Sequence, residues 1–229
     1  MADKKNPGSG HRVEKTRVKT ARKRTPSSTR WLERQLNDPY VQRSKKDGYR
    51  CRAVYKILEL DDKFRFFKPG KRVLDLGAAP GGWTQIAVER CQSPRNDPRV
   101  VAMDILAMEP MRGAICIQMD FMAEDAPDKL RKALGGKADI VMSDMAPNTT
   151  GHAATDHLRI MGLLEAAYAF AQEILAPGGV FVAKVFQGGT EQNLLTQMRK
   201  DFSVVKHAKP KSSRSDSSEM YVVATGFRG

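Results

Sequence analysis

Hydrophobic positions along this chain follow two alternating rhythms. From Arg72 onward, short apolar runs bounded by glycine, proline or charged residues alternate with longer stretches whose apolar positions return every three or four residues. This pattern predicts strands over Arg72 to Leu76, Arg99 to Ile105, Ala114 to Met119, Ala138 to Ser143, Gly179 to Phe186, Ser203 to Ala208 and Met220 to Thr225. Helices are expected at about 82–91, 125–134, 155–176 and 190–201. Such alternation implies parallel βαβ units, whose ligands bind outside the carboxyl ends of the strands. Upstream, Ala53, Ile57, Leu60 and Phe64 fall at helical spacing, widened by Val54 and Leu58, and predict an amphipathic helix over 51–64. The segment S-T-R-W-L-E-R-Q-L predicts a shorter helix capped by Ser28 or Thr29. Residues 1–27 show no apolar periodicity and are expected to be a disordered basic extension, leaving 28–229 as one domain.

The first predicted strand breaks into V-L-D-L-G-A-A-P-G-G-W (Val73 to Trp83), a strand, a glycine-rich turn and a helix start. Glycine admits close approach of a ligand to the backbone. The spacing is neither the G-x-G-x-x-G of dinucleotide folds nor the G-x-x-x-x-G-K-[ST] of phosphate loops, so a cofactor held by its pyrophosphate is disfavoured.

Charge narrows the partner. The net charge is +13, and the first 30 residues hold ten Lys or Arg against only Asp3 and Glu14. That distribution favours a polyanion, most simply nucleic acid, and the tail lacks the apolar face a membrane-surface helix needs. Three widely spaced cysteines, Cys51, Cys91 and Cys116, contain no C-x-x-C and suit a reducing compartment. No run approaches the roughly 20 apolar residues of a membrane helix. A cytoplasmic monomer with no membrane partner is expected. His11, His152, His157 and His207 show no ligand spacing, and no metal is expected.

Candidate chemistry gathers at the strand ends. Asp104 closes V-V-A-M-D, where a carboxylate can accept both hydroxyls of a ribose diol. Asp120 ends the next strand, and Asp144 lies within D-I-V-M-S-D-M-A-P-N, in which the fourth strand ends. Lys184 interrupts the apolar strand G-G-V-F-V-A-K-V-F; an ammonium there is costly unless it has a partner, which marks it as the clearest catalytic candidate. Glu219 precedes the last strand after a Ser-rich basic loop.

The turn D-L-G-A-A-P-G-G-W resembles the first motif of S-adenosylmethionine-dependent methyltransferases, in the form found in the FtsJ/RrmJ family of RNA 2'-O-ribose methyltransferases. R-A-V-Y-K-I, S-D-M-A-P-N and S-S-R-x-x-S-x-E-x-Y resemble further motifs of that family, in order, from about Ser28 to the C-terminus. The resemblance implies a Rossmann-like α/β fold with a seven-stranded, mostly parallel sheet and helices on both faces. It implies a catalytic tetrad of Lys56, Asp144, Lys184 and Glu219. It also implies S-adenosylmethionine bound by Gly77, Ala78, Pro80, Gly81, Gly82 and Trp83, with Asp104, Asp120 at the adenine and Asp144 at the methionine part. The motif wording is closest to bacterial enzymes acting on a uridine of large-subunit (23S) rRNA, on an assembled or nearly assembled large ribosomal subunit. Transfer RNA and capped messenger RNA are substrates of sister groups, and a non-catalytic ribosome-assembly factor is the alternative from another class.

Ribose 2'-oxygen attack on a sulfonium methyl needs a base within reach, a role expected of Lys184. Tyr55, Phe186 and Tyr221 lie near the tetrad in sequence and are candidates to stack on a base, although core packing is the commoner fate of such aromatics.

Overall fold

A computed structural model describes residues 16–147, 153–186, 192–214 and 217–229. Seven strands form one sheet in the order β3-β2-β1-β4-β5-β7-β6. β1 (Val73–Leu76), β2 (Val100–Asp104), β3 (Ala114–Gln118), β4 (Ala138–Ser143) and β5 (Leu175–Phe186) pair in parallel. β7 (Glu219–Phe227) is inserted antiparallel between β5 and β6 (Phe202–Ala208).

The sheet divides two cores, and alternate residues of the central strands feed each. Val73, Val100, Ile140, Met142 and Val182 face α3 (Val54–Phe64) and α4 (Gly82–Cys91), meeting Ile57, Leu60 and Ile86. Leu74, Val101, Val141 and Phe181 face α5 (Ala126–Leu134), α6 (Ala153–Ile174) and α7 (Gln192–Asp201). Strands buried on both faces must be apolar almost throughout, which is why they read as continuous runs.

Two features ahead of α3 differ from expectation. α1 (Pro26–Leu36) starts before Ser28, because Thr25 caps it by accepting from the Ser28 amide at 3.2 Å. Pro26 pins the first position, where a missing N–H costs nothing. α2 (Pro39–Lys46) is an additional helix, built on the same device: the Asp38 carboxylate accepts from the Tyr40 amide at 3.0 Å. Ahead of α1, Thr16 exchanges hydrogen bonds of 2.7 and 2.9 Å with the Asn37 side chain. Residues 1–15 of the expected extension lie outside the described residues.

Candidate active site

β1 ends in a turn that only glycine permits. Gly77 has φ +75°, and a Cβ there would lie 2.7 Å from the backbone nitrogen of Met145, just past the end of β4. The amides of Gly77 and Ala78 donate to the Met103 carbonyl at 2.9 and 3.1 Å, and Gly81, at φ +102°, opens α4. Asp104 locks this turn from β2: Oδ2 accepts from the Ala79 amide and Oδ1 from the Leu106 amide, both at 2.8 Å. Arg50 pins it from outside by donating to the carbonyls of Pro80, Glu109 and Pro110.

The result is a crevice of about 500 Å³, lined by Gly77, Ala79, Asp104, Asp120 and Asp144 with apolar Ile105, Phe121, Met145 and Leu163. Its size lies in the range of small-molecule sites. The residues suit S-adenosylmethionine. Each Asp104 oxygen keeps a lone pair for a ribose hydroxyl, Asp120 and Ile105 both line the crevice, and the glycine turn leaves room for backbone approach. Beneath the turn, Asp75 is fully buried; it accepts from the Thr84 hydroxyl at 2.6 Å, while its Oδ1 has no partner among the described residues. Burial pushes its carboxyl up to about 7, against the Thr84 hydrogen bond and with help from the negative charges of Asp144 and Asp104.

The other turn residues shape the crevice from behind. Ala78, Pro80, Gly81 and Gly82 are not part of its lining; a Cβ on Gly82 would meet the Cys51 sulfur at 2.5 Å, so α4 and the start of α3 close against each other there. The Trp83 side chain is buried. Its indole N–H donates to the Ala53 carbonyl at 2.9 Å, and its ring packs 5.5 Å from Tyr221, which ties α4 to α3 and β7.

Asp144, Lys184, Lys56 and Glu219 converge through one residue, Tyr221. β5 and β7 pair antiparallel with Lys184 directly opposite Tyr221, so both side chains emerge on the α3 side. The Lys184 amine donates to the Asp144 carbonyl at 2.6 Å and lies 3.1 Å from its Oδ1. The Tyr221 hydroxyl donates to the same Oδ1 at 3.0 Å and accepts from Lys56 Nζ at 3.2 Å. Lys56, in the first turn of α3, is buried and forms a 2.7 Å ion pair with Glu219, whose Oε1 also accepts from the Ser213 hydroxyl at 3.0 Å.

Electrostatics follow from this chain. Burial would raise the Asp144 carboxyl, but the charges of Lys184 and Lys56 and the bonds from Lys184 and Tyr221 outweigh it and hold the group below the usual carboxylate range. Burial, then the charges of Asp144 and Glu219, push the Tyr221 phenol well above 10. Tyr221 therefore stays protonated, a donor to Asp144 and not a base.

Two aromatic expectations are corrected. Tyr221 is fully buried within the ion-pair chain, and Tyr55 is buried against Tyr40 and Tyr49 with its hydroxyl donating to Asp47 at 2.8 Å, so neither ring presents a face to a base. The side chain of Phe186 lies outside the described residues. Tyr221 as a bridge had only one signal in the sequence, its place two residues after Glu219 on a strand, where alternation puts both on one face.

The FtsJ-like methyltransferase family model matches residues 49–227. The chain is 60% identical over 225 residues to ribosomal RNA large subunit methyltransferase E of Paramagnetospirillum magneticum, covering 97% of this chain and 92% of that protein. It is 61% identical over 214 residues to the protein of the same name from Rhodospirillum rubrum, covering 93% and 81%. Among solved structures it is similar to a ribosomal RNA methyltransferase of Plasmodium falciparum, with a TM-score of 0.69 and 32% identity, covering 79% of this chain and all of that one.

Proposed function

Because the chain belongs to the FtsJ-like methyltransferase family, we propose that it methylates the ribose 2'-oxygen of a uridine in large-subunit (23S) rRNA, using S-adenosylmethionine, on the assembled or nearly assembled large subunit. The observation that carries this reading is the buried chain from Lys184 through Asp144, Tyr221 and Lys56 to Glu219, which runs from the cofactor crevice to a second opening. A protein that only bound RNA would gain nothing from two buried lysines there, since burying charge is costly.

When bound, S-adenosylmethionine supplies an electrophilic methyl group on a sulfonium. Gly77 and Ala79 would admit its backbone-facing side, Asp104 its ribose diol, Asp120 its adenine, and Asp144 its positive end. The protein's own work is to aim and deprotonate the hydroxyl. A neutral amine has two N–H bonds and one lone pair, and Lys184 has two acceptors beside it, the carbonyl and Oδ1 of Asp144. Those two contacts leave the lone pair as the group that takes the 2'-hydroxyl proton. Lys56, held by Glu219 and Tyr221, stands on the other side of the Tyr221 hydroxyl as a donor to the ribose oxygen. Asp144, kept ionised by its lysine neighbours, balances the charge that collects as the proton arrives on Lys184.

The test is transfer of labelled methyl from S-adenosylmethionine to unmodified large ribosomal subunits and to free rRNA, by the wild type and by Lys184→Ala. Label recovered as 2'-O-methyluridine from subunits, and absent with the variant, is the expected result. Label in a base, in transfer RNA alone or nowhere overturns the proposal.

A further inference from the structure

Away from the cofactor crevice, the ion-pair chain ends at Lys56 and Glu219, and both line the second opening, a cavity of about 290 Å³ walled by Arg34, Arg52 and Arg214. The same three arginines continue into an open groove of about 650 Å³, where Arg30 joins them. Its walls come from α1, from the turn before α3 and from the loop before β7, stretches far apart in sequence.

Asp38 draws them together. It is buried, it caps α2, and its Oδ2 lies 2.9 Å from Arg52 Nε and 3.7 Å from an Arg214 nitrogen. Arg52 also donates to the Ser212 carbonyl, and Glu59 of α3 accepts from the amides of Lys211 and Ser212, so the loop carrying Arg214 is tied to α3 twice. Arg34 has no ion pair among the described residues. One carboxylate thus holds two guanidinium groups beside a third cation; Glu33 also lines the outer groove and Glu219 pairs with Lys56 in the inner cavity, so five cations (Arg30, Arg34, Arg52, Arg214 and Lys56) face three carboxylates. Gathering like charges is unfavourable unless an anion completes the site.

We propose that this groove seats the RNA backbone, with Arg34, Arg52 and Arg214 clamping a phosphodiester that flanks the methylated ribose, and Asp38 acting as the positioning residue of the clamp. The inference rests on the RNA methylation reading above and extends it to the phosphate. A ribose 2'-oxygen and its neighbouring phosphate are only a few bonds apart, so a phosphate site has to lie next to the catalytic amines, and the inner end of this groove does. Planar guanidinium forks match phosphate oxygens in pairs.

The experiment is equilibrium binding of the whole protein to a fluorescent uridine-rich oligoribonucleotide across a salt series, beside methylation kinetics on unmodified large subunits. Arg34→Gln and Arg214→Gln are each expected to weaken RNA binding about tenfold and to lower the log–log salt slope by about one. The KM for subunits should rise far more than kcat falls, with S-adenosylhomocysteine affinity retained. Arg214→Lys should keep the slope. Asp38→Asn gives the decisive sign: removing a negative charge would tighten RNA binding if net charge alone mattered, whereas loss of positioning weakens it. Unchanged slopes in both glutamine variants, or tighter binding by Asp38→Asn, overturn the clamp. So does weaker binding to intact subunits without weaker binding to free RNA, which would place a protein in the groove. Failure of the methylation reading shows separately, as a wild type that transfers no methyl to subunits, and the oligoribonucleotide arm still tests the groove.

Discussion

The Tyr221 hydroxyl donates to Oδ1 of Asp144 at 3.0 Å, across 77 residues of sequence, and joins two buried ion pairs into one network. Removing that hydroxyl should leave the fold intact and loosen the groups proposed to carry the reaction. Tyr221→Phe is expected to lower the single-turnover rate about ten- to a hundredfold, the range for a hydrogen bond of about 1.5–3 kcal/mol to a charged group. Cofactor affinity, read by calorimetry with S-adenosylhomocysteine, should hardly change. A wild-type rate in this variant would remove Tyr221 from the machinery.

Lys184 is distinguished from a mere structural cation by substitution that keeps charge. Lys184→Arg retains an ion pair with Asp144 but offers no lone pair, so the rate should fall by about 10²–10⁴, the usual worth of a general base. Lys184→Met should lose as much, and also some thermal stability because Asp144 loses its ion-pair partner and keeps only the Tyr221 hydroxyl among the described residues. Near-normal turnover by Lys184→Arg would rule out the base assignment.

Asp75 and Asp144 give stability opposite pH dependences. The folded state raises Asp75 from 3.8 to about 7, so it binds that proton more tightly than the unfolded chain. Its contribution is complete below the unfolded value and is lost as pH rises through the folded one. Asp144, lowered on folding, contributes above the ordinary carboxylate range and loses that as pH falls. Asp75→Asn keeps an acceptor for Thr84 and should flatten the decline between about pH 4 and pH 7, by at most roughly 1.4 kcal/mol per pH unit. Urea unfolding at stepped pH measures it; parallel wild-type and variant curves would exclude a raised Asp75.

Two glycines with positive φ separate strain from steric closure. A Cβ at Gly135, φ +62°, meets nothing within 4 Å, so Gly135→Ala should cost about 1 kcal/mol of stability and leave cofactor binding alone. At Gly77 the added carbon meets the Met145 backbone at 2.7 Å, forcing the ends of β1 and β4 apart. Gly77→Ala should weaken S-adenosylhomocysteine binding more than tenfold. Equal effects of the two substitutions would show that the close approach at Gly77 does not matter.

What the amino-acid order determined by itself was local. Residues buried on both faces of a sheet must be apolar, so the strands were legible as runs; positive φ and close approach demand glycine, so the turn at Gly77 was legible; and a lysine inside an apolar strand is too costly to be idle, so Lys184 stood out. Lys56, Asp144, Glu219 and the acidic strand ends were singled out the same way or through motifs carried on contiguous residues. Tertiary structure decided the rest. Lys56 and Tyr221 are 165 residues apart, and their contact depends on the antiparallel register of β7 against β5 and on the seating of α3, neither written in any short stretch. The same holds for Trp83, whose ring packs against Tyr221, and for Asp38, a helix cap that folding brings against Arg52 and Arg214. Local patterns report which environment a residue needs; only long-range pairing selects which neighbours supply it.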